Sequence, residues 1–373
     1  MLLWTLTAVL LGLYGCLIFF YFYHWRRLPL HVPQKAASDV YLSVVIAARN
    51  EEATLPVLLQ RLMEQSYPGH LFEIIIVDDF SIDGTRDAVI PFLNGRVRLI
   101  QPNTEAALSS KKKAIEAGVT AAKGNLIVIT DADCLPPPRW LESMATFYRE
   151  KDPVFIAAPV KFLHNGSLLQ LFQATDFMVL QGITAASTGA NFHTMCNGAN
   201  LAYTGGAFQA VNGFKGIDSV ASGDDMLLMY KIWKQYPTKV AYLKSEEAVV
   251  CTEPMKTWKD FFNQRKRWAS KTMHYDDYRI TAVLGLVYLV NLWFLVLLVA
   301  AFLYPSYWKL VLVYLSLKTL IEFPFVAAVA SFYNERRLLP YFPFFQPLHI
   351  LYTVSVGFLS QLGNYEWKGR QTK

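Results

Sequence analysis

Three hydrophobic patterns follow one another along the chain. Residues 2–23 form an almost unbroken apolar run, residues 40–270 mix short apolar runs with polar stretches, and residues 280–362 are again mostly apolar. The first run has about the ~20 residues needed to cross a bilayer. In the last region, 280–303 is a clean spanning candidate ending at Tyr304-Pro305. Residues 307–331 form a second, interrupted by Lys318, Glu322 and Pro324, and 344–362 a third. Lys318 and Glu322 lie four apart on one helical face, a spacing that predicts a pair inside the bundle. The middle reads differently. Leu42–Ala48, Ile74–Val77, Val97–Ile100 and Leu126–Thr130 are short β-branched runs that predict strands. Between them Glu51–Gln65, Thr85–Leu93 and Lys111–Ala122 predict helices. Alternating strands and helices predict an α/β fold, a mainly parallel sheet with helices on both faces. Met226–Trp233 predicts a further helix.

Residues 254–271 predict a basic amphipathic helix with Trp258, Phe261, Phe262, Arg265 and Trp268 on one face. Aromatics on one face and cations around the rest fit a helix lying in the lipid interface. Ser167–Ser187 reads equally as an amphipathic helix at the membrane surface or as a plain core helix. The expected organisation is an N-terminal transmembrane anchor at 1–25, a cytosolic domain at 40–250, an interface helix at 251–275 and a membrane region of two or three spans at 280–362.

Composition agrees with a mixed protein. Of 373 residues 53% are hydrophobic and 17% charged, too apolar for an ordinary soluble chain and too charged for one buried wholly in lipid. The net charge of +6 gathers at Arg26-Arg27 and from Lys256 to Lys271, beside the apolar segments. That placement suits a membrane surface or phosphate groups, and no nucleic acid is expected as a partner. No basic residue precedes the first run apart from the terminus, which favours an anchor over a signal peptide. Arg26 and Arg27 follow it, so the N-terminus is expected outside and the middle domain in the cytoplasm, in a multi-pass protein of the cell (inner) membrane. Three C-terminal spans would then leave Trp367-Lys368-Gly369-Arg370 outside against the charge rule, so one of the three is expected to lie in the interface or re-enter. The four cysteines are scattered and read as reduced residues rather than a disulfide framework.

The chemistry gathers at strand ends, where open parallel sheets collect ligands. Arg49, Asn50 and Glu51 follow the first strand, Asp78-Asp79 the second, and Asp131-Ala132-Asp133 the fourth. Asp83 and Asp87 read as caps or turn formers. Asp131 and Asp133 do not, because two carboxylates one residue apart repel unless a cation neutralises them. Oxygen ligands select a hard ion, Mn²⁺ or Mg²⁺. Asp224 and Asp225 precede the Met226 helix at capping positions. Two acids exceed what a cap needs, so one of them is a candidate general base. No Gly-x-Gly-x-x-Gly follows the first strand, which argues against a dinucleotide site.

The order Ala-Arg-Asn-Glu-Glu, Ile-Val-Asp-Asp-Phe-Ser-Ile-Asp-Gly-Thr, Lys111 seven residues before Gly118, Thr-Asp-Ala-Asp, Gly-Asp-Asp and Gln264-Arg-Lys-Arg-Trp268 resembles a family-two glycosyltransferase of GT-A fold. It resembles the membrane-bound branch with cellulose, chitin and hyaluronan synthases and ceramide glucosyltransferases. The resemblance covers about residues 40–270. It implies a nucleotide-sugar donor, UDP-linked by preference, and an inverting, metal-dependent transfer to a lipid or glycan acceptor. It also implies roles. Asp79, with Asp78 as the weaker choice, holds the base near Glu51; Lys111 lies near the base or the diphosphate. Asp133 is the principal metal ligand, with Asp131 toward the sugar or ribose, and Asp225 the base beside Asp224. Gln264, Arg267 and Trp268 border the diphosphate and acceptor. Departures are Ala48-Arg49 in the first motif and Asp224 where relatives carry Glu.

Four candidate spans leave little room for a closed polymer channel, so a single transfer is preferred over a processive, exporting synthase. A haloacid-dehalogenase-type phosphatase is a remote alternative, since Ile127-Val-Ile-Thr-Asp131-Ala-Asp133 resembles its strand motif; Leu135 stands where that motif expects Thr or Val. A non-catalytic membrane scaffold or transporter would rest only on Lys318 and Glu322.

Overall fold

In the computed structural model, residues 2–34, 39–103, 110–218, 223–270, 277–359, 365–367 and 370–372 are described. Their helices are α1 (Leu2–Arg27), α2 (Leu55–Met63), α3 (Thr85–Val89), α4 (Lys111–Ala121), α5 (Trp140–Lys151), α6 (Leu168–Gly189), α7 (Gly205–Ala210), α8 (Met226–Gln235), α9 (Trp258–Ser270), α10 (Tyr278–Leu303), α11 (Trp308–Phe332) and α12 (Phe342–Leu359). The strands are β1 (Leu42–Ala48), β2 (Phe72–Asp78), β3 (Val97–Ile100), β4 (Leu126–Ile129), β5 (Phe155–Ala157), β6 (Val160–Phe162), β7 (Leu201–Thr204), β8 (Val240–Tyr242), β9 (Val250–Thr252), β10 (Tyr365–Trp367) and β11 (Arg370–Thr372). They fall into two units. Residues 28–163 and 187–253 form an α/β unit; residues 1–27, 164–186 and 254–373 form a helical unit.

The α/β unit holds a seven-stranded sheet in the order β3-β2-β1-β4-β7-β5-β8. β1, β2, β3 and β4 run parallel, β7 is antiparallel to β4 and β5, and β5 is parallel to β8. β1 and β2 are buried almost throughout, which is why they read as continuous apolar runs rather than alternating ones. Register makes the site possible. Ala48 pairs with Asp78 and Val45 with Ile129, so the residues that follow β1, β2 and β4 emerge along one edge. Helix α4 covers β1 and β2 at close range because Gly118 has no side chain; a Cβ there would run into Val45 and Val77.

Two predicted boundaries shift. The helix expected from Glu51 starts at Leu55, because residues 49–54 fold into a loop with Asn50 at φ 54° and Thr54 as N-cap. The amphipathic helix expected from 254 starts at Trp258, where the Thr257 hydroxyl accepts from Asp260 N at 3.1 Å and donates to the Asp260 carboxylate at 2.6 Å. Lys271 and the predicted helix beyond it, like residues 360–362 of the last predicted span, lie outside the described residues.

In the helical unit α1 packs along α11, and α10 against α11 and α12. Among the described residues four helical segments, 2–27, 278–303, 305–332 and 336–359, are long and apolar enough to cross a membrane. Lys318 is buried and donates to Glu322 Oε1 at 2.6 Å and to Gln346 Oε1 at 2.8 Å. Tyr14 and Gln346 donate to the Glu322 carboxylate in turn. The predicted pair therefore forms, inside a closed network.

The aromatic face of α9 is shared: Trp258 is exposed, while Phe261 is fully buried against protein. Phe261 joins Phe172, Phe345, Tyr352 and Val356 in one buried cluster contributed by α6, α9 and α12. Arg265, 4% exposed, pairs with the equally buried Asp176 at 2.8 Å and stacks on the rings of Phe261 and Trp268. A buried guanidinium needs such a partner, and an acid eighty-nine residues away is invisible to helical periodicity. Residues 168–186 of α6 are mostly buried in the same unit, which favours the core reading of that stretch.

Candidate active site

The first two strand-end loops lock together. Arg49 Nη1 donates to Asp79 O at 2.8 Å and lies 3.9 Å from the Asp79 carboxylate. Asn50 N donates to Ser81 Oγ at 3.0 Å, and Ile82 N returns a bond to Asn50 Oδ1 at 3.0 Å. Glu51 N donates to Thr85 Oγ1 at 2.8 Å, while Thr54 Oγ1 donates to the Glu51 carboxylate at 2.6 Å. Asp78 is fully buried and accepts from Ser81 N, from Arg86 Nε at 2.6 Å and from Gln101 Nε2 at 3.3 Å. Three donors on a buried carboxylate make Asp78 a builder of the loop. Asp79 is also buried, beside Arg49. Phe80, at φ 57°, follows directly. A bulky residue in that region is strained, and the interlaced hydrogen bonds hold it there.

The second half of the site is an ionic cluster. Lys111 opens α4 and donates to Asp131 Oδ1 at 2.6 Å, with Asp224 Oδ2 at 3.4 Å. Asp225 N-caps α8: one carboxylate oxygen accepts from Met226 N at 2.8 Å, the other from Gly198 N at 3.0 Å. The two adjacent acids thus divide their work, Asp225 on backbone N–H groups and Asp224 on Lys111. Gly198 sits at the centre, where a Cβ would lie 3.3 Å from Lys111 Nζ and 3.7 Å from an oxygen of each acid. Burial alone would lower the Lys111 ammonium's pKa, but Asp131, then Asp224 and Asp225, hold it well above the usual lysine range. It stays charged.

Thr130 Oγ1 donates to Ala199 O at 2.9 Å and ties the end of β4 to the turn that carries Gly198. Asp133 is exposed two residues beyond Asp131. Burial, with Asp131 and Asp133 adding repulsion, pushes the neighbouring Cys134 thiol well up, so a thiolate ligand there is disfavoured. Among the described residues no three His, Cys, Asp or Glu side chains converge as a ready metal cage. The oxygens of Asp131 and Asp133 suit a hard ion that takes its other ligands from phosphate and water.

Of the residues singled out from sequence, Lys111, Asp131, Asp224 and Asp225 come together, while Glu51, Asp78 and Asp79 form the adjoining loop pair. Gln264, Arg267 and Trp268 lie on α9 in the helical unit, where Trp268 packs beside Phe177 and the buried Gln264 Oε1 lacks a hydrogen-bond partner. Sequence reasoning passed over Tyr203 of β7. Its buried hydroxyl has no hydrogen-bond partner, and its ring lines a cavity with Gly198, Asp224, Asp225, Phe214 and Leu228. Only its place in a short strand facing the acids could have flagged it.

A mostly parallel sheet that brings acids and one lysine to its carboxyl edge defines an α/β domain of the kind that binds phosphorylated ligands. The chain belongs to glycosyl transferase family group 2, whose model matches residues 126–344, and the model for glycosyl transferase family 2 matches residues 43–201. Among relatives, a probable glycosyltransferase, YdaM, of Bacillus subtilis is 23% identical over 261 residues, covering 66% of this chain and 56% of that protein. The dolichyl-phosphate beta-glucosyltransferase ALG5A of Trichomonas vaginalis is 32% identical over 102 residues, covering 26% of this chain and 31% of that one. The chain therefore spans only part of these relatives. Its fold is shared with the mannosyltransferase PcManGT from Pyrobaculum calidifontis, solved with GDP-Man and Mn²⁺, at a TM-score of 0.59 and 18% identity over 96% of this chain and 98% of the other. The GT-A expectation for the α/β domain is met.

Proposed function

We propose that this protein transfers a sugar, with inversion, from a nucleotide-diphosphate sugar to a hydroxyl of a lipid or membrane-associated acceptor. The observation that carries the reading is the meeting of Asp131, Asp224 and Asp225 around Lys111 at the carboxyl edge of the sheet. Asp225 is the base that takes the acceptor proton, its carboxylate plane set by Gly198 N and Met226 N. Asp79 and Glu51 lie in the loops proposed to receive the nucleotide base, with Asp78 supporting them from below. Asp133 and Asp131 would hold Mn²⁺ or Mg²⁺, which supplies charge neutralisation for the departing diphosphate. Gln264, Arg267 and Trp268 keep the roles the resemblance implies, Arg267 as a bidentate partner for phosphate oxygens.

The membrane-bound branch with the Gln-x-x-Arg-Trp motif, a UDP-linked donor and a cytoplasmic catalytic domain at the inner membrane belong to this proposal. Four apolar helices and a relative named for dolichyl phosphate support a lipid acceptor. The small number of spans favours one transfer over processive synthesis. A donor panel tests it. Purified protein in detergent is incubated with UDP- and GDP-sugars and lipid acceptors, with and without Mn²⁺ or Mg²⁺, and released nucleotide diphosphate and product length are read. One added sugar, dependent on the ion, is expected; a polymer ladder, or phosphate release from simple esters without nucleotide, overturns the reading.

A further inference from the structure

Helix α4 opens with Lys111, Lys112 and Lys113. Cations in the first turn oppose the helix dipole, so each needs a local reason to be there. Lys112 has one that is structural: it is buried and donates to Ile217 O at 2.6 Å. Lys111 instead spans two acids from different elements, Asp131 at 2.6 Å and Asp224 at 3.4 Å. One ammonium against two direct carboxylates leaves negative charge in excess on these partners, and such a group attracts a further cation. A second observation points the same way. The cavity beside Asp224 and Asp225 is also lined by Tyr203, whose 1%-exposed ring carries a hydroxyl without a hydrogen-bond partner.

We propose that Lys111 is a resident counter-cation that must give up Asp131 when a divalent ion binds, and that leaves Asp224 as well once the donor's diphosphate is there to receive it. The inference rests on the reading of Asp131 and Asp133 as the metal side of the site. An ammonium and a divalent ion close to the same carboxylate repel each other. Without donor, Lys111 therefore weakens ion binding; with donor, the diphosphate oxygens offer the displaced ammonium a new partner. Ion and nucleotide are thereby expected to bind together rather than in sequence, and Asp224 changes partner only when both are present.

The test is Mn²⁺ binding to the purified full chain without nucleotide, followed by loss of the free-ion paramagnetic resonance signal. Lys111→Met and Lys111→Gln remove the charge, Lys111→Arg keeps it, and thermal melting verifies folding of each. The neutral variants are expected to bind Mn²⁺ about tenfold more tightly than the unmodified chain, with Lys111→Arg close to it. Equal affinity in the neutral variants, or tightening in Lys111→Arg as well, overturns the inference while the metal reading stands. No Mn²⁺ binding in any of them, with or without UDP or GDP, overturns both.

Discussion

The protein holds two kinds of ionic cluster, one buried and one partly open to solvent, and they differ in balance. In the helical unit Lys318 and Glu322 meet one to one, with Gln346 and Tyr14 closing the remaining bonds. Arg265 and Asp176 also meet one to one, Tyr352 donating to the acid at 2.7 Å, while Arg265 Nε and Nη1 make no hydrogen bond and the guanidinium lies on the rings of Phe261 and Trp268. In the α/β unit a single lysine serves Asp131 and Asp224, with Asp225 adding attraction. A balanced, saturated cluster has nothing left to offer a ligand. An unbalanced one on the edge of a sheet, with one acid on a strand end and two before a helix, is incomplete without a charged guest. Net charge among direct partners and access to solvent separate architecture from chemistry together: Lys318 is fully buried, whereas Lys111 and Asp131 keep 23% and 34% of their side-chain surface exposed.

The sharpest way to break this contrast is at Asp225. Asparagine caps helices about as well as aspartate, so Asp225→Asn keeps the bond to Met226 N and the start of α8. It removes the proton acceptor and turns an amide nitrogen toward Gly198 N–H, so turnover in the donor assay is expected to fall roughly 10²- to 10⁴-fold while the lost bond to Gly198 costs only about 1–2 kcal/mol of stability. Full activity in Asp225→Asn would move the base elsewhere. Asp133→Asn comes next. The side chain is exposed, so the fold has little to lose, and a loss of roughly a hundredfold is expected. Excess Mn²⁺ should restore part of it, since the defect lies in ion and donor affinity; an unaltered ion titration would count against Asp133 as a ligand.

Legibility followed strand length and sequence separation. β1, β2 and β4 stood out because burial on both faces makes them continuous β-branched runs, and the acids just past them marked the edge of the sheet; β3, an edge strand buried only at Val97, was legible from its β-branched and apolar residues alone. β5 to β9 have three or four residues each, too few for any period to register. The acids were readable one by one, but the partner that joins them was not. Asp131 and Asp224 share Lys111 although several helices and strands lie between the two acids in sequence, a pairing that only the closed fold creates. Arg265 was counted among the aromatics of an interfacial face for the same reason, its acid lying on α6. Lys318 and Glu322 were foreseeable because four residues on a helix suffice to bring them together.

The Lys318–Glu322 cluster makes the opposite forecast, first for stability. Glu322→Gln leaves Lys318 as an uncompensated charge among apolar helices, and a loss of roughly 3–5 kcal/mol is expected, read as a lower melting temperature in detergent.

The smallest effect is expected when that whole cluster is removed at once. Replacing Lys318, Glu322 and Gln346 by Met together with Tyr14→Phe takes away every donor and acceptor of the network, so no polar group is left without its partner. Exchanging both sides of a buried pair for apolar groups of similar volume is neutral or stabilising where removal of one side is not. Helices α1, α11 and α12 should stay packed, with stability within about 1 kcal/mol of the unmodified chain and donor turnover unchanged. The measurement is the same melting curve and the same release of nucleotide diphosphate. If the fourfold variant stayed folded but lost turnover, the balanced cluster would have a part in the chemistry, and charge balance would no longer tell the two regions apart.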